Sequence, residues 1–362
     1  MSGSISGLSG GSAGMLDALI ANATTVRQQL DQLTQQASTG YVATSYAGLG
    51  DAASVPLDLN PQIARLQTWQ ANIDAATGRM AVTQTAMTQI GQIAANFYAQ
   101  LNAFNGLDAG AVDSVAASAR QALQQVAGLL DTTDGGTYVF AGQDSANPPV
   151  PNPDGILASG FYTQISTAVA GLGASGAGAT AAATLAVASS NASGTSPFSA
   201  ALSQPAATVQ ANQATVQVGA GQNVAVGLLA SANTFVTSGG SSTTGSYMRD
   251  LLRGLATIGS LSSSQVGDAG FQGLVQDTRT SLSGAITAMN QDAGVLGNVQ
   301  SGLAATRTTL GNTATALIGQ VSAAQDVNMA ATLSKLSLVQ TQLQSSYKLI
   351  ASAANLSLVQ YL

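Results

Sequence analysis

Residues 62–105 read QIARLQTWQANIDAATGRMAVTQTAMTQIGQIAANFYAQLNAFN, and two interleaved series run through them. Leu66, Ile73, Met80, Met87, Ala94 and Leu101 step by seven, as do Trp69, Ala76, Thr83, Ile90, Phe97 and Phe104. Seven residues make two helical turns, so both series stay on one stripe of a helix. The spacing predicts a helix from about 62 to 105, roughly 65 Å long. Pro61 suits its first turn, where a missing N–H costs nothing. A stripe that long needs another helix to cover it, which points to a coiled-coil-like bundle.

The same periodicity recurs on both sides. Toward the N-terminus, Leu16, Leu19, Ala23, Val26, Leu30, Leu33 and Ala37 alternate at spacings of three and four. That run ends at Gly40, a natural helix stop. Residues 41–60 read as a loop closed by Pro56 and Pro61. Residues 1–14 are rich in Gly and Ser and are expected to be disordered in the free monomer. A further helix is expected over 112–130, with Val115, Ala119, Leu123 and Val126 inward. Toward the C-terminus, Leu251, Leu252, Leu255 and Ile258 form a short helix. Val275, Leu282, Ile286, Met289, Ala293 and Leu296 begin a long one. Its phase is read as shifting after Leu296, where Val299, Leu303, Leu310 and Leu317 continue. Met329, Leu333, Leu336, Leu343, Tyr347, Ile350 and Ala354 form the last stripe.

Between these helical ends the pattern changes. Asp134-Gly135-Gly136 reads as a turn, with a short strand from Thr137 to Phe140. Pro148, Pro149, Pro151 and Pro153 mark a linker. From about 155 to 245 the chain is rich in Ala, Gly, Ser and Thr. Two alternating runs around Gly219-Ala220-Gly221 read as a hairpin within a small β-rich domain. The expected fold class is therefore mainly α with a β-rich insert. The N- and C-terminal regions form an elongated antiparallel helical bundle, and a small β domain lies between them.

Composition narrows the function. Charged residues are only 7% of the 362, against about 25% in an ordinary soluble domain. All sixteen acids are Asp, and Lys occurs only at Lys335 and Lys348. Gln stands where Glu and Lys usually sit on helices, keeping helix propensity without charge. Such surfaces do not repel one another when packed side by side, which a crowded polymer tolerates. A net charge of −6 argues against nucleic-acid binding, which needs a basic stripe. With no Cys and no His, thiolate nucleophiles, imidazole bases and Cys/His zinc sites are excluded. The N-terminus lacks the basic and apolar regions of a signal peptide, and no run of about 18 apolar residues is read as a membrane span.

Two motifs invite chemistry and fail to support it. Gly171-Leu-Gly-Ala-Ser-Gly176 matches the dinucleotide fingerprint, but that motif needs an acid about 20 residues on. No acid lies between Asp154 and Asp250, so a low-complexity loop is the better reading. Asp131, Asp134, Asp144 and Asp154 cluster without EF-hand spacing, and turn formation explains them better than a metal. No nucleophile motif is present. The chain is expected not to be an enzyme and to need no cofactor.

Five segments together resemble a known family. Q35-Q-A-S-T-G40 and I63-A-R-L-Q-T-W-Q-A-N-I-D74, with Met80 and Met87 following, are similar to the first and second helices of bacterial flagellins. L129-L-D-T-T-D-G-G-T-Y-V-F-A-G142, V216-Q-V-G-A-G-Q-N-V-A-V226 and the tail L343–L362 are closer to the hook–filament junction branch, hook-associated protein 3. The likeness covers about 1–142 and 215–362. Two departures stand out. The acidic, Pro-containing segment usual after the first helix reads T44-S-Y-A-G-L-G-D-A-A53 here. The stretch G91–L101, comparable to the Arg-containing segment recognised by innate immune receptors in many flagellins, has no Arg. That recognition is not carried over.

The resemblance implies a structural flagellar subunit: a junction protein, or alternatively a filament flagellin. A secreted adhesin using the Ser/Thr-rich insert is the reading from another class. Residues 1–40 and 321–362 are expected to be terminal assembly helices, 41–142 and 246–320 a helical core, and 143–245 a β-rich outer domain. Leu16, Leu19, Val26, Leu30, Leu33, Met329, Leu333, Leu336, Leu343, Tyr347 and Ile350 are the expected assembly residues. The implied partners are hook-associated proteins, flagellin, copies of the chain itself and an export chaperone, with no nucleic acid and no membrane insertion. The implied location is extracellular, reached unfolded through the flagellar type III apparatus without a cleaved signal.

Overall fold

Every long apolar stripe of the sequence is a helix in the computed structural model, which describes residues 10–104, 108–240 and 242–359. The side chains of residues 10–13, 15, 16 and 353–359 fall outside that description. So does the Gly/Ser leader over 1–9. The helices are α1 (Gly10–Thr39), a single turn α2 (Tyr46–Leu49), α3 (Ser54–Ala103) and α4 (Ala109–Leu130). A minimal hairpin follows, β1 (Thr133–Asp134) and β2 (Thr137–Tyr138). Then come α5 (Gly160–Ala170), α6 (Leu172–Ser189), α7 (Ala206–Ala211), and a second hairpin, β3 (Thr215–Gly219) and β4 (Gln222–Ala225). The chain returns through α8 (Tyr247–Gly259), α9 (Phe271–Gln325) and α10 (Met329–Val359). The fold class is mainly α with a small β insert, as the patterning required.

The chain divides into two compact units. The first comprises Met1–Gln67 and Asn312–Leu362. In it α1 packs on α10. Gly40 ends α1 with a positive φ of 79° that a side chain would resist. Tyr41 then bridges Asp326. The Val42 N–H donates to the Gln325 carbonyl at 2.7 Å, and the Val327 N–H donates to the Gly40 carbonyl at 2.9 Å. These bonds place the end of α1 beside the start of α10, so the two helices run antiparallel.

The second unit, Thr68–Gly311, holds the main core. There α3 and α9 run antiparallel. The Arg279 guanidinium reaches the Leu101 carbonyl at 2.7 Å, the Met289 methyl sits 3.4 Å from where a Cβ on Gly91 would be, and Arg307 pairs with Asp74. At the centre lies α8, every residue of which is buried. It touches α4, α5 and α6. Gly254 is needed there, because a Cβ would come within 2.7 Å of Leu282. Gly259 presents its carbonyl to Arg120 at 2.6 Å and to Tyr162 at 2.8 Å.

Burying α8 buries its charges, and each has a partner. Arg253 pairs with Asp277 at 3.2 Å and also bonds Ser242. Asp250 accepts from the Thr244 N–H at 2.8 Å and from the Thr243 hydroxyl. Arg249 donates to the Ser231, Ala188 and Ser190 carbonyls and to Asn191, and stacks 5.3 Å over the Phe198 ring. Asp292 of α9 is fully buried and accepts from the N–H groups of Thr234, Phe235 and Val236 and from the Tyr247 hydroxyl. Burial pushes the Asp292 carboxyl above the usual carboxylate range, while the Tyr247 hydroxyl and the three N–H groups pull it back. Burial, with the neighbouring Asp292 charge, also drives Tyr247 up, which keeps it a neutral donor. In this way α8 and α9 tie the irregular 188–246 stretch to the helical body.

Several expectations are corrected. The second long helix begins at Ser54, not after Pro61. Pro56 falls in its first turn, where no N–H is needed, and Pro61 lies on an exposed face. The stripe of α9 does not shift phase: Leu282, Met289, Leu296 and Leu303 are all buried at steps of seven. Asp292 and Ala285 hold the inward places that had gone to Ala293 and Ile286. A carboxylate at an inward position had disguised the register. The segment Gly171–Gly176 is not a loop but the start of α6, kinked at Gly176 with φ 75°. Residues 143–245 hold three helices against one hairpin, because runs of Ala have high helix propensity once packed. Helix α6 also has the length and mean hydropathy of a membrane span, 18 residues and 1.2, contrary to the sequence reading. A kink at Gly176 interrupts it, and one face, with Leu172, Thr180, Ala181, Thr184 and Ala188, is buried in the second unit.

Candidate assembly surface

The α1–α10 pair forms from two stripes that fit at spacings of three and four. On α1, Ala23 and Val26 are buried, and Leu19, Leu30, Leu33 and Ala37 are half-buried. The α1 part of the expected set therefore faces α10, apart from Leu16, whose side chain lies outside the described residues. On α10 the stripe toward α1 is Thr332, Leu336, Val339, Leu343, Ser346 and Ile350. Thr332 and Val339 are its buried members.

The expected α10 set thus splits. Leu336, Leu343 and Ile350 go to α1. Met329, Leu333 and Tyr347 stay 41%, 51% and 49% exposed on the shoulder of the stripe. Leu338 and Leu349, which the sequence reading passed over, are 67% and 59% exposed on the opposite flank of the helix. Ile20 of α1 is exposed at 47%. The signal that would have found Leu338 and Leu349 is their spacing of eleven, three helical turns, which puts both on one line. A helix apolar around most of its circumference is normally buried. Among the described residues α10 packs on α1, with apolar surface left for more.

The same unit carries a second exposed apolar group around the start of α3: Tyr41, Val42, Tyr46 and Leu57. Tyr46 accepts a long 3.5 Å bond from Asn60. Charge on the helix pair is sparse and exposed: Asp17, Arg27 and Asp31 on α1, Lys335 and Lys348 on α10.

The acids considered as metal ligands shape turns. Asp131 accepts from the Val150 N–H at 2.8 Å, and Asp144 accepts from Asn147 at 2.7 Å. Asp134 opens the turn whose Gly135 and Gly136 have positive φ. That turn is fastened to α3 by Arg79, which donates to the Thr137 hydroxyl at 2.7 Å and to the Tyr138 carbonyl. Arg79, Asp134 and the β3 strand edge line an open cleft of about 750 Å³. In the second hairpin Thr215 pairs with Ala225 and Val216 with Val224, with a bulge before Gly219.

No curated protein matches the chain. Residues 14–145 match the bacterial flagellin N-terminal helical region, and residues 280–362 match the bacterial flagellin C-terminal helical region. The two matches cover more than half of the sequence and take in α10, most of α1 and the helices that continue inward from both. With its paired terminal helices and its interrupted middle, the chain belongs to the bacterial flagellin family of structural proteins.

Proposed function

We propose that the protein is the hook–filament junction subunit of a bacterial flagellum, joined to its neighbours through the helices of its two ends. The observation that carries self-assembly is the apolar surface left uncovered on α10. Burying the exposed part of each of Met329, Leu333, Leu338, Tyr347 and Leu349 contributes about 1 kcal/mol. Summed over many copies, that is enough to order the terminal helices against one another.

The junction role is supported by the two segments that resemble junction proteins, Leu129–Gly142 and Val216–Val226. In the fold both contribute to the wall of the cleft beside Arg79. In this reading, residues 1–40 and 321–362 assemble and 143–245 face outward. Export runs unfolded through the flagellar type III apparatus, with a chaperone covering the terminal helices beforehand. The partners are hook-associated proteins, flagellin and further copies. Filament flagellin is the second reading, favoured by the family regions that the chain matches.

Immunogold labelling of intact flagella separates the two. A band at the hook end, with unpolymerised flagellin released on deletion of the gene, supports the junction role. Label along the whole filament overturns it.

A further inference from the structure

Arg249 and Arg253 lie one turn apart on α8, both buried, and their charges are met differently. Arg253 has the Asp277 carboxylate at 3.2 Å. Arg249 donates only to uncharged oxygens: the Ser231, Ala188 and Ser190 carbonyls and the Asn191 amide oxygen. Asp250 is adjacent, but its oxygens are taken by Thr243 and Thr244, so it gives Arg249 its field and no bond. Burial lowers the Arg249 pKa from the usual arginine value, and the Asp250 field opposes that shift. A buried cation without a bonded counter-ion is costly. One N–H of its guanidinium, on Nη2, also has no partner among the described residues.

That guanidinium lies in the wall of a cleft of about 370 Å³, within the size range of small-molecule sites. The buried lining is mostly polar, with Ser231, Asn233 and Ser246 beside Arg249. At the exposed rim three amides are already oriented. The Gln210 amide nitrogen donates to the Asn233 carbonyl at 2.7 Å, and that of Gln204 donates to the Ala200 carbonyl at 3.1 Å. Each leaves its Oε1 to accept. Asn191 gives its Oδ1 to Arg249 at 2.7 Å, which leaves its Nδ2 to donate. No acid lines the cleft. One wall therefore offers a cation and an amide donor, and the rim offers two amide acceptors.

We propose that this cleft binds a sugar acid, one carboxylate on a ring of hydroxyls. The carboxylate lies against Nη2 of Arg249 and Nδ2 of Asn191, and the hydroxyls donate to Gln204 and Gln210. The ligand then gives Arg249 the counter-charge that Arg253 has from Asp277. Charge-assisted bonds supply most of the affinity, and the oriented amides select the hydroxyls. A neutral sugar lacks the first contribution, and a plain carboxylate such as acetate lacks the second. Every residue involved belongs to the second unit, so binding needs neither the terminal helices nor assembly.

The test is isothermal titration calorimetry on the full-length, unassembled protein with D-glucuronate, D-glucose and acetate. Glucuronate should bind one site with a dissociation constant on the order of 1 mM. Glucose and acetate should each bind at least about tenfold more weakly, and added NaCl should weaken glucuronate binding. Arg249 ties 188–190 and 231 to α8, so the variants leave it in place. Asn191→Asp keeps the oxygen that Arg249 uses and puts a carboxylate where that of the ligand would lie. It should abolish glucuronate binding and raise the melting temperature, because Arg249 gains a bonded counter-ion. Gln204→Ala, at the exposed rim, should weaken binding about threefold or more with melting unchanged. No saturable binding of glucuronate, equal binding of glucose or acetate, or full binding by Asn191→Asp overturns the proposal. Each of these results leaves the assembly reading untouched.

Discussion

Replacing Leu338 and Leu349 together by Gln should abolish assembly without unfolding the subunit. Both are on α10, 67% and 59% exposed, and neither lies in the stripe against α1. Gln is nearly as good a helix former as Leu, so α10 should persist. Full burial of a Leu is worth about 1.5–3 kcal/mol, so burying the exposed remainder contributes about 1–2 kcal/mol at each position. Removing both costs about 2–4 kcal/mol per copy, which raises the concentration needed for assembly about 30- to 900-fold. Desolvating the new amides adds to that cost. Two measurements are needed. Urea denaturation of the purified variant should give an unfolding free energy within about 0.5 kcal/mol of wild type, as for surface changes generally. Complementation of a strain lacking the gene should give bald cells and soluble variant in the medium. A double variant that builds normal flagella at wild-type expression would refute the claim that the Leu338–Leu349 flank of α10 is a buried contact in the assembly.

Deleting residues 329–362 should leave the melting of the 68–311 unit unchanged, while flagella no longer incorporate the chain; incorporation of the truncated protein would show that α10 is dispensable. Asp292→Ala should lower unfolding free energy by about 3–5 kcal/mol, because three backbone N–H groups and the Tyr247 hydroxyl lose a buried acceptor. Hydrogen exchange should then report faster opening at 234–236, and unchanged protection there would contradict that account. Asp131 is half-buried, and desolvation pushes its carboxyl up to about 6, against the Val150 N–H that favours the charge. Its folded value exceeds the unfolded one, so the charge destabilises the fold above pH 6, and stability is regained as pH falls from 6 toward 4. Asp131→Asn should therefore gain about 1 kcal/mol at pH 7, after allowance for solvent screening, and match wild type at pH 4. Equal stability of the two at pH 7 would count against it.

The helices and the antiparallel return of the chain ends were legible in the sequence, because a seven-residue repeat has one physical reading. Gly40 marked the end of α1, and the hairpin over 215–225 was visible from its alternation. Functional exclusions were equally direct, since a chain without Cys or His lacks those chemistries whatever its fold. Other features could not be read along the chain. Asp292 broke the apolar pattern of α9 because its place depends on N–H groups more than fifty residues earlier. The Ala- and Gly-rich stretch at 172–189 has no period strong enough to announce a helix; packing against α8 decides it. The α10 stripe looked single because sequence shows which residues are apolar but not which neighbour covers each of them. Only the position of α1 sorted Leu336, Leu343 and Ile350 from Met329, Leu333 and Tyr347, and left Leu338 facing outward. Periodicity is local and is written in the sequence; which face is already occupied depends on distant chain, and the tertiary structure alone decides it.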